Sequence, residues 1–235
     1  MKDLRITGNG IKETMECSPY IWYFAGSMAV FFTIVGIVGN LLTIVALLRN
    51  SSLRKRTTTK FVVSLAISDL LFCSINTLSN AILFNSVMLY ELELCKLLTF
   101  FFYANGAVSL FNLVLITFNQ YILICCNDKY DKIYTKFNIC LMILFVYGYA
   151  YGMMALPFSG IWGDLKPMSH KPYFCTIISK NENEGNPKSF FFLMAFFIPL
   201  LTITACYCAI YRKMKNAQME MAKYLPNSLD KSEGK

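Results

Sequence analysis

The sequence predicts an all-α membrane protein whose helices form a transmembrane bundle. Hydrophobic residues make up 56% of the 235-residue chain and charged residues 15%, whereas soluble domains carry about 25% charged residues. Five apolar runs are long enough for the roughly 20 residues that a spanning helix needs. One run holds a single carboxylate, Asp69. Because a charge at membrane depth costs at least ~2.5 kcal/mol, this residue predicts a polar bundle centre.

The boundaries of the five spans follow from the apolar runs. The predicted spans cover residues 21–48, 59–86, 96–125, 137–158 and 189–211, within a transmembrane domain of residues 21–213. The first run is too long for a signal peptide, and the polar residues before it contain no apolar region of that kind. We therefore expect the first run to act as the first membrane anchor and residues 1–20 to form an extracellular N-terminal segment. The polar segment 214–235 is predicted to be a disordered tail.

The distribution of charge predicts the orientation of the spans. Residues 49–60 hold five basic side chains and no acidic one, and the segment after the fifth span holds six more basic side chains. The short segment between spans two and three carries Glu91 and Glu93 instead. Because basic loops stay in the cytoplasm, the N-terminus is predicted outside and the C-terminus inside, with the plasma membrane as the expected location. The formal net charge of +8 thus indicates contact with membrane lipids rather than with nucleic acid.

Short motifs occur in a fixed order along the spans. They are Gly39-Asn40 in the first span, Leu65, Ala66 and Asp69 in the second, Cys95 and Asn119-Gln120-Tyr121 at the two ends of the third, Leu156-Pro157 in the fourth, Cys175 in the next loop, and Pro199 with Tyr207 in the fifth. The ordered set resembles the rhodopsin-like (class A) family of G-protein-coupled receptors from about residue 20 to residue 213. The resemblance implies that the chain supplies five of that family's seven transmembrane helices.

The resemblance implies two features of the bundle interior. One is a disulfide between Cys95 and Cys175, which would hold the longest loop over the outer end of span three. The other is a sodium site at Asp69, Asn105 and Ser109, for which oxygen ligands suit a hard cation. Asn40 can form an interhelical hydrogen bond near Asp69. A protonated Asp69 that hydrogen-bonds to the same groups is the alternative, and no other metal or cofactor is expected.

Two departures from the family pattern bear on signalling. The triplet Asn119-Gln120-Tyr121 stands where the family usually has Asp-Arg-Tyr, and its initial Asn resembles the melatonin-receptor branch and the insect moody and trapped-in-endoderm branch. Gln120 cannot supply the fixed charge of arginine to a G protein, so we expect weakened or altered coupling at this triplet and Tyr207. The sixth and seventh spans are absent, which favours an incomplete sequence first and a genuine shortened isoform second.

The family resemblance also assigns a ligand cup. Its expected lining is Leu98, Phe102, Tyr103 and Gly106 on span three with Phe191 and Ala195 on span five, and Leu110 and Pro199 are the expected switch or packing positions. Receptors for amines have an Asp where Phe102 stands, so an apolar, lipid-like or peptide ligand is expected instead. The alternative for each aromatic residue of this set is that it packs against the other aromatic residues or lipid and does not contact a ligand.

Three functions compete on these observations. The first is a receptor that senses an extracellular ligand and signals to a heterotrimeric G protein. The second is a non-signalling partner that binds or retains a full-length receptor, which also allows a receptor dimer. The third, a transporter or channel, is disfavoured because the sequence shows no internal repeat or paired broken helices. No nucleophile constellation, P-loop or dinucleotide motif is present, so we do not expect an enzyme.

Overall fold

A computed structural model describes residues 19–84, 92–167, 175–180 and 185–230. The helices are α1 (Pro19–Arg49), α2 (Ser51–Arg54), α3 (Thr57–Phe84), α4 (Leu92–Cys125), α5 (Tyr130–Ile133), α6 (Lys136–Phe158), α7 (Pro187–Phe192) and α8 (Ile198–Asp230), with a 3-10 turn at Asn127–Lys129 and a π-helix at Leu193–Phe197. Two strands, β1 (Asp164–Pro167) and β2 (Cys175–Ile178), form an antiparallel hairpin. Residues 1–18, which make up most of the predicted N-terminal segment 1–20, lie outside the described residues.

Five helical stretches of the described chain are long and apolar enough to cross a membrane. They are Phe24–Arg49, Thr57–Ser79, Glu93–Cys125, Lys136–Phe158 and Pro187–Lys223. The prediction of a five-span helical bundle is therefore confirmed. Helix α4 lies at its centre and packs against α3, α6 and α8, while α1 packs against α3.

Two interhelical hydrogen bonds fix the register between α3 and α4. The Thr58 hydroxyl donates to Asn119 Oδ1 at 2.8 Å, and the Ser68 and Ser109 hydroxyl oxygens lie 3.0 Å apart. The ten-residue step from Thr58 to Ser68 along α3 matches the ten-residue step back from Asn119 to Ser109 along α4. The two helices therefore run antiparallel, with matching positions over roughly 15 Å.

The buried apolar side chains form three layers along α4. The layer nearest the hairpin contains Ala104, Met154, Leu165, Ile177 and Phe191, the middle layer Ala107, Val108, Val146 and Ala150, and the opposite layer Phe61, Ile122, Tyr134 and Ile139. We refer to the two ends of the bundle as the hairpin end and the Asn119 end.

Helices α1 and α3 approach each other closely where a glycine replaces a side chain. A Cβ atom built on Gly36 would lie 2.7 Å from the Cys73 sulfur. One turn away, the Asn76 side-chain amide donates to the Thr33 hydroxyl at 3.0 Å. Small residues of this kind let membrane helices pack backbone to backbone.

The hairpin is a feature that our sequence analysis did not predict. Each strand has only four residues, and residues 168–174 between them lie outside the described part. Leu165 pairs with Ile177 across the hairpin, and both side chains are buried. This burial stabilises two strands that are too short to be recognised from their sequence alone.

The prediction of a disordered tail from residue 214 is wrong for residues 214–230, which continue helix α8. The side chains of residues 214–223 are exposed, so packing does not hold this stretch in a helix. Its Met, Lys, Gln, Ala and Glu residues have high intrinsic helix propensity, which accounts for the difference.

The π-helix lies directly before Pro199 in the fifth span. The backbone N–H of Ile198 donates to the carbonyl of Leu193, five residues back, and Pro199 has no N–H to continue the pattern. The helix therefore contains one wide turn just before this buried proline.

Candidate functional site

A disulfide fastens the hairpin to the first turn of α4. It joins Cys95, which is fully buried, to Cys175 at the start of β2, with 5.8 Å between the Cα atoms. This is the pair that the family resemblance implied, and it is confirmed. The hairpin is thereby held across one end of the bundle.

An ion-pair cluster gives the hairpin a second attachment. Asp164 of β1 lies 2.8 Å from the Lys166 ammonium and 4.0 Å from that of Lys96 on α4. Burial acts to raise the pKa of Asp164, but the two lysines and the Leu165 backbone N–H outweigh it and hold the pKa below its ordinary value. The carboxylate is therefore ionised at neutral pH, and it is already engaged by these two cations.

A cavity of about 530 Å³ lies beneath the hairpin, between α3, α4, α6 and the start of the fifth span. Ligand cavities in proteins commonly have volumes of about 300–1,000 Å³. The lining consists of Phe72, Phe102, Tyr103, Gly106, Ala107, Leu110, Phe111, Tyr149, Ala150, Met153, Met154, Ile177, Lys188, Ser189, Phe191, Phe192, Met194, Ala195 and Phe196. The surface offered to a ligand is thus mainly aromatic and aliphatic.

The cavity contains most of the residues that we expected in the ligand cup. Five of the six line it, namely Phe102, Tyr103, Gly106, Phe191 and Ala195, and so does the switch candidate Leu110. Leu98 does not. It is buried one turn closer to the hairpin end of α4, so the lining of this helix begins at Phe102.

Sequence reasoning missed the lining that comes from the other helices. Phe72 follows Asp69 by three residues and therefore lies on the same face of α3, a spacing that could have identified it. Lys188 lies at the start of the fifth span and also lines the cavity. A charged residue next to an apolar span is the one feature of the sequence that could have drawn attention to it. The Tyr103 hydroxyl is 3.2 Å from that of Thr176 in β2, so its polar group is engaged by the hairpin.

Asp69 lies about one helical turn from this cavity, in a small polar cluster. The Ser109 hydroxyl donates to its carboxylate at 2.5 Å, and the Ser68 hydroxyl lies 3.0 Å from Ser109. The carboxylate is only half-buried, and the side chain of Ile67, two residues before it, is exposed to the outside of the bundle. The structure thus brings together two of the residues assigned to the polar core and adds Ser68 to them.

The other two polar-core residues are engaged elsewhere. The Asn105 side-chain amide donates to the carbonyl of Phe101, and its oxygen accepts from the Tyr151 hydroxyl at 3.1 Å. The Asn40 amide donates to the Gly36 carbonyl at 2.9 Å, within its own helix. Among the described residues, neither Asn40 nor Asn105 hydrogen-bonds to Asp69. The expected bridge from Asn40 is therefore not formed.

Asn119 connects three parts of the chain at the opposite end of the bundle. It is fully buried, accepts the hydrogen bond from Thr58 of α3, and donates to the Tyr130 hydroxyl of α5 at 3.1 Å. Next to it, burial raises the pKa of the Tyr134 hydroxyl to about 12, with a smaller opposing effect from Asn119. The cluster is thus uncharged and holds the loop after α4 against the bundle.

The remaining residues of the predicted G-protein motif lie near this end without joining the cluster. Gln120 and Tyr121 are half-buried, and 49% of the Tyr207 side chain is exposed. No hydrogen bond connects these three side chains to Asn119 in the described part of the chain. Their side chains are thus at least partly exposed at this end of the bundle.

Comparison with known proteins places these features in a family context. The family model described as "7 transmembrane receptor (rhodopsin family)" matches residues 39–233. Protein trapped in endoderm-1 of Drosophila melanogaster is 40% identical over 190 residues, which are 80% of this chain and 47% of that protein. The G-protein coupled receptor moody of Drosophila pseudoobscura pseudoobscura is 33% identical over 213 residues, or 88% of this chain and 31% of that protein. The chain thus spans less than half the length of both relatives.

The fold also matches a solved structure. The crystal structure of squid rhodopsin aligns with a TM-score of 0.74 and 23% sequence identity, covering 91% of this chain and 58% of that one. At this identity the match concerns the fold alone. Both the sequence and the fold agree with the family that the motifs resembled.

Proposed function

This chain belongs to the rhodopsin family of seven-transmembrane receptors, and we propose that it senses an extracellular ligand other than an amine and signals to heterotrimeric G proteins. The family consists of receptors rather than enzymes, and its members are integral membrane proteins. The hairpin end is then the extracellular side of the plasma membrane, and the Asn119 end is cytoplasmic. The charge distribution of the loops supports this orientation.

The observation that carries the proposal is the cavity beneath the hairpin. Two separate attachments, the disulfide and the Asp164 cluster, hold the hairpin over it. Helix α4 contributes Phe102 to this cavity and Asn119 to the opposite end. The seventeen-residue step from Phe102 to Asn119 spans roughly 26 Å of continuous helix. One rigid element thus connects the proposed ligand site with the proposed G-protein side.

The lining argues against an amine ligand. None of the described lining residues is acidic, and Phe102 occupies the position of the family's amine-binding carboxylate. An ammonium group would lose its hydration there without gaining a counter-ion, which is costly in an apolar site. A lipid-like or peptide ligand with substantial apolar surface is favoured.

Gln120 and Tyr121 are proposed to face the G protein, together with Tyr207. They are accessible at the Asn119 end, but Gln120 supplies no charge where the family commonly has arginine. Hydrogen bonds that involve a charged group are about twice as strong as neutral ones. We therefore propose coupling that is weaker than in receptors with the charged residue.

We further propose that sodium binds at Asp69. One carboxylate and the hydroxyl groups of Ser68 and Ser109 form a cluster of oxygen donors, which fits a hard cation. A bound cation would neutralise the Asp69 carboxylate. It would supply a second favourable interaction beside the hydrogen bond that Ser109 donates. Protonation of Asp69 is the alternative.

Sodium is expected to stabilise the protein through Asp69. At a concentration near ten times its Kd, the cation contributes about 1.4 kcal/mol. When about 150 mM N-methylglucamine chloride is replaced by the same concentration of NaCl, the Tm should then rise by about 3–6 °C. Asp69→Asn keeps an acceptor for Ser109 but removes the charge, so its Tm should not respond. Thermal unfolding in nanodiscs measures both.

Asp164→Asn is the control for the sodium effect, because its carboxylate lies in the hairpin and should leave the sodium response intact. A wild-type Tm that is equal in both salts, or an unchanged response in Asp69→Asn, would contradict the sodium site.

Substitutions at two glycines, one inside and one outside the cavity lining, test the receptor function. Gly106 lines the cavity, where an added Cβ would lie 3.5 Å from the Phe72 ring, whereas Gly148 on α6 has no such neighbour within 4 Å. Gly106→Leu is therefore expected to fill ligand space, and Gly148→Leu to be tolerated. We expect a total lipid extract or a tissue peptide extract to accelerate nucleotide exchange on a reconstituted G protein. Gly106→Leu should lower this response about tenfold or more, which is the size of effect expected when a ligand loses apolar contact with its pocket.

The Gly148→Leu response should stay near that of the wild type. Failure of both extracts with every class of Gα subunit, or equal responses of the two variants, would contradict the proposal.

A second candidate function is association with a full-length receptor, including dimer formation. Large apolar side chains at the start of the fifth span remain exposed in the described structure, among them Phe192, Phe197 and Leu201. Such a surface can face lipid or another helix bundle. Absence of signalling by this chain, combined with a reduced surface level of a co-expressed full-length receptor, would favour this candidate.

A further inference from the structure

One cation lines the otherwise apolar cavity. Of the described lining residues, Lys188 is the one with a charged side chain, and Ser189 lies next to it. Both belong to the first turn of α7, at the hairpin end of the bundle. The cavity therefore has a chemically distinct end, where the exposed first turn of α7 supplies a cation and a hydroxyl, while aromatic side chains form much of the remaining lining.

Lys188 has no ion-pair partner among the described residues. The nearby carboxylate of the hairpin, Asp164, is already engaged by Lys166 and Lys96. An ammonium group beside an apolar surface interacts strongly with an anion that displaces water from it. The Lys188 end of the cavity thus fits a negatively charged group on a ligand.

The deeper part of the cavity offers few polar partners. The Tyr103 hydroxyl is paired with Thr176, so this residue presents mainly its ring. Phe72 and Phe102 pack against each other with ring centroids 4.7 Å apart, and Phe191 of α7 lines the same cavity. A peptide would bury backbone amides here without hydrogen-bond partners, at substantial cost. An alkyl chain would not.

We propose that this cavity binds an anionic amphiphile, with a carboxylate or phosphate head at Lys188 and Ser189 and a single acyl chain between Phe102 and Phe191. The proposal rests on the receptor function and specifies its ligand class. Binding forms no covalent bond. The ion pair selects the head, and burial of the chain supplies most of the affinity.

Trp162 provides a local reporter for binding. Its ring packs on Phe190 and on the lining residue Phe191, with centroid distances of 4.7 and 5.5 Å. The chain holds two tryptophans, so Trp22→Phe leaves Trp162 as the single indole. Bromine atoms on an acyl chain quench a tryptophan at short range. Brominated lipids therefore report occupancy of the cavity directly, with the full chain in nanodiscs and no G protein present.

Three probes that carry the same dibromostearoyl chain separate the contributions of head and chain. They are the lysophosphatidate, the free fatty acid and the uncharged monoacylglycerol. We expect saturable quenching, with an anionic probe binding about tenfold or more tightly than the monoacylglycerol, as a hydrogen bond to a charged group implies. Preference for the lysophosphatidate identifies a phosphate head, and preference for the fatty acid a carboxylate head.

Lys188→Gln should weaken the anionic probe about tenfold or more and leave the monoacylglycerol unchanged, which shows that the cavity is still folded. Lys188→Arg should keep most of the preference. Lys180→Gln is the matched control, because this lysine lies at the same end of the bundle and contacts the Gly160 carbonyl instead of the cavity. Equal affinity for charged and uncharged probes, non-saturable quenching, or an unchanged preference in Lys188→Gln would overturn the proposal.

The binding assay separates this inference from the receptor function. If the lysophosphatidate or fatty acid binds as expected but nucleotide exchange never responds, the ligand class is supported while signalling fails. If a peptide or uncharged lipid drives exchange and neither anionic probe binds, the ligand class is overturned while the receptor function is retained.

Discussion

Loss of the Cys95–Cys175 disulfide is expected to lower the free energy of unfolding by about 2–4 kcal/mol. The bond closes a segment with a sequence separation of 80, for which chain entropy alone gives roughly 4 kcal/mol. The effect should be smaller than this limit because unfolded spans stay in the membrane and remain confined there. We therefore expect the double variant Cys95→Ser/Cys175→Ser to unfold roughly 5–10 °C below the wild type.

Thermal unfolding followed by Trp162 fluorescence measures this loss close to the hairpin. Reductant should lower the Tm of the wild type toward that of the double variant and should not affect the double variant itself. Cys140→Ser is the control, since Cys140 is a free and exposed thiol on α6. A wild-type Tm that does not respond to reductant would show that the bridge does not hold the hairpin.

Asn119→Ala is expected to destabilise the protein by about 2–3 kcal/mol. Asn119 is fully buried and makes one hydrogen bond to Thr58 and another to Tyr130. Truncation removes both and leaves the Thr58 and Tyr130 hydroxyls without these partners at the end of the bundle. The loop that contains α5 should then detach more readily, which hydrogen exchange of its backbone amides would show.

Gln120→Ala is the matched control for Asn119, because Gln120 is the next residue, half-buried and outside the cluster. We expect a change within about 0.5 kcal/mol. A double-mutant cycle with Thr58→Val should show coupling of about 1 kcal/mol between Thr58 and Asn119. Strict additivity of the two substitutions would mean that the hydrogen bond does not join α3 to α4.

The spans and part of the site were predictable because their signals are local. The apolar runs identify five helices without any knowledge of how they pack. The cup residues of α4 follow from the family resemblance. Phe72 could have been found from its spacing to Asp69 on α3. Lys188 depends on how the start of the fifth span turns toward the same space, so the sequence alone does not place it in the lining.

One incorrect prediction and one element that was not predicted have a clear physical origin. Asn40 was expected to bridge helices, but in an apolar helix an amide can also donate to the carbonyl four residues back, as Asn40, Asn105 and Asn112 all do. The hairpin depends on pairing between two four-residue segments, which is non-local and is stabilised by burial against α4. The Asn40 outcome is local to one helix, whereas the pairing of the hairpin cannot be read from a single segment.

The polar centre of the bundle requires that α3 and α4 bring Asp69 and Ser109 together inside the bundle, next to the cavity. Oxidative cross-linking of Ser68→Cys/Ser109→Cys in membranes tests it most directly, because the two hydroxyl oxygens lie 3.0 Å apart. Mass spectrometry should find a disulfide between these positions and none in the control Ile67→Cys/Ser109→Cys, since Ile67 faces away from the bundle with 44% of its surface exposed. Equal cross-linking of the two pairs, or efficient cross-linking of the Ile67 pair alone, would contradict the arrangement of the helices and the polar centre built on it.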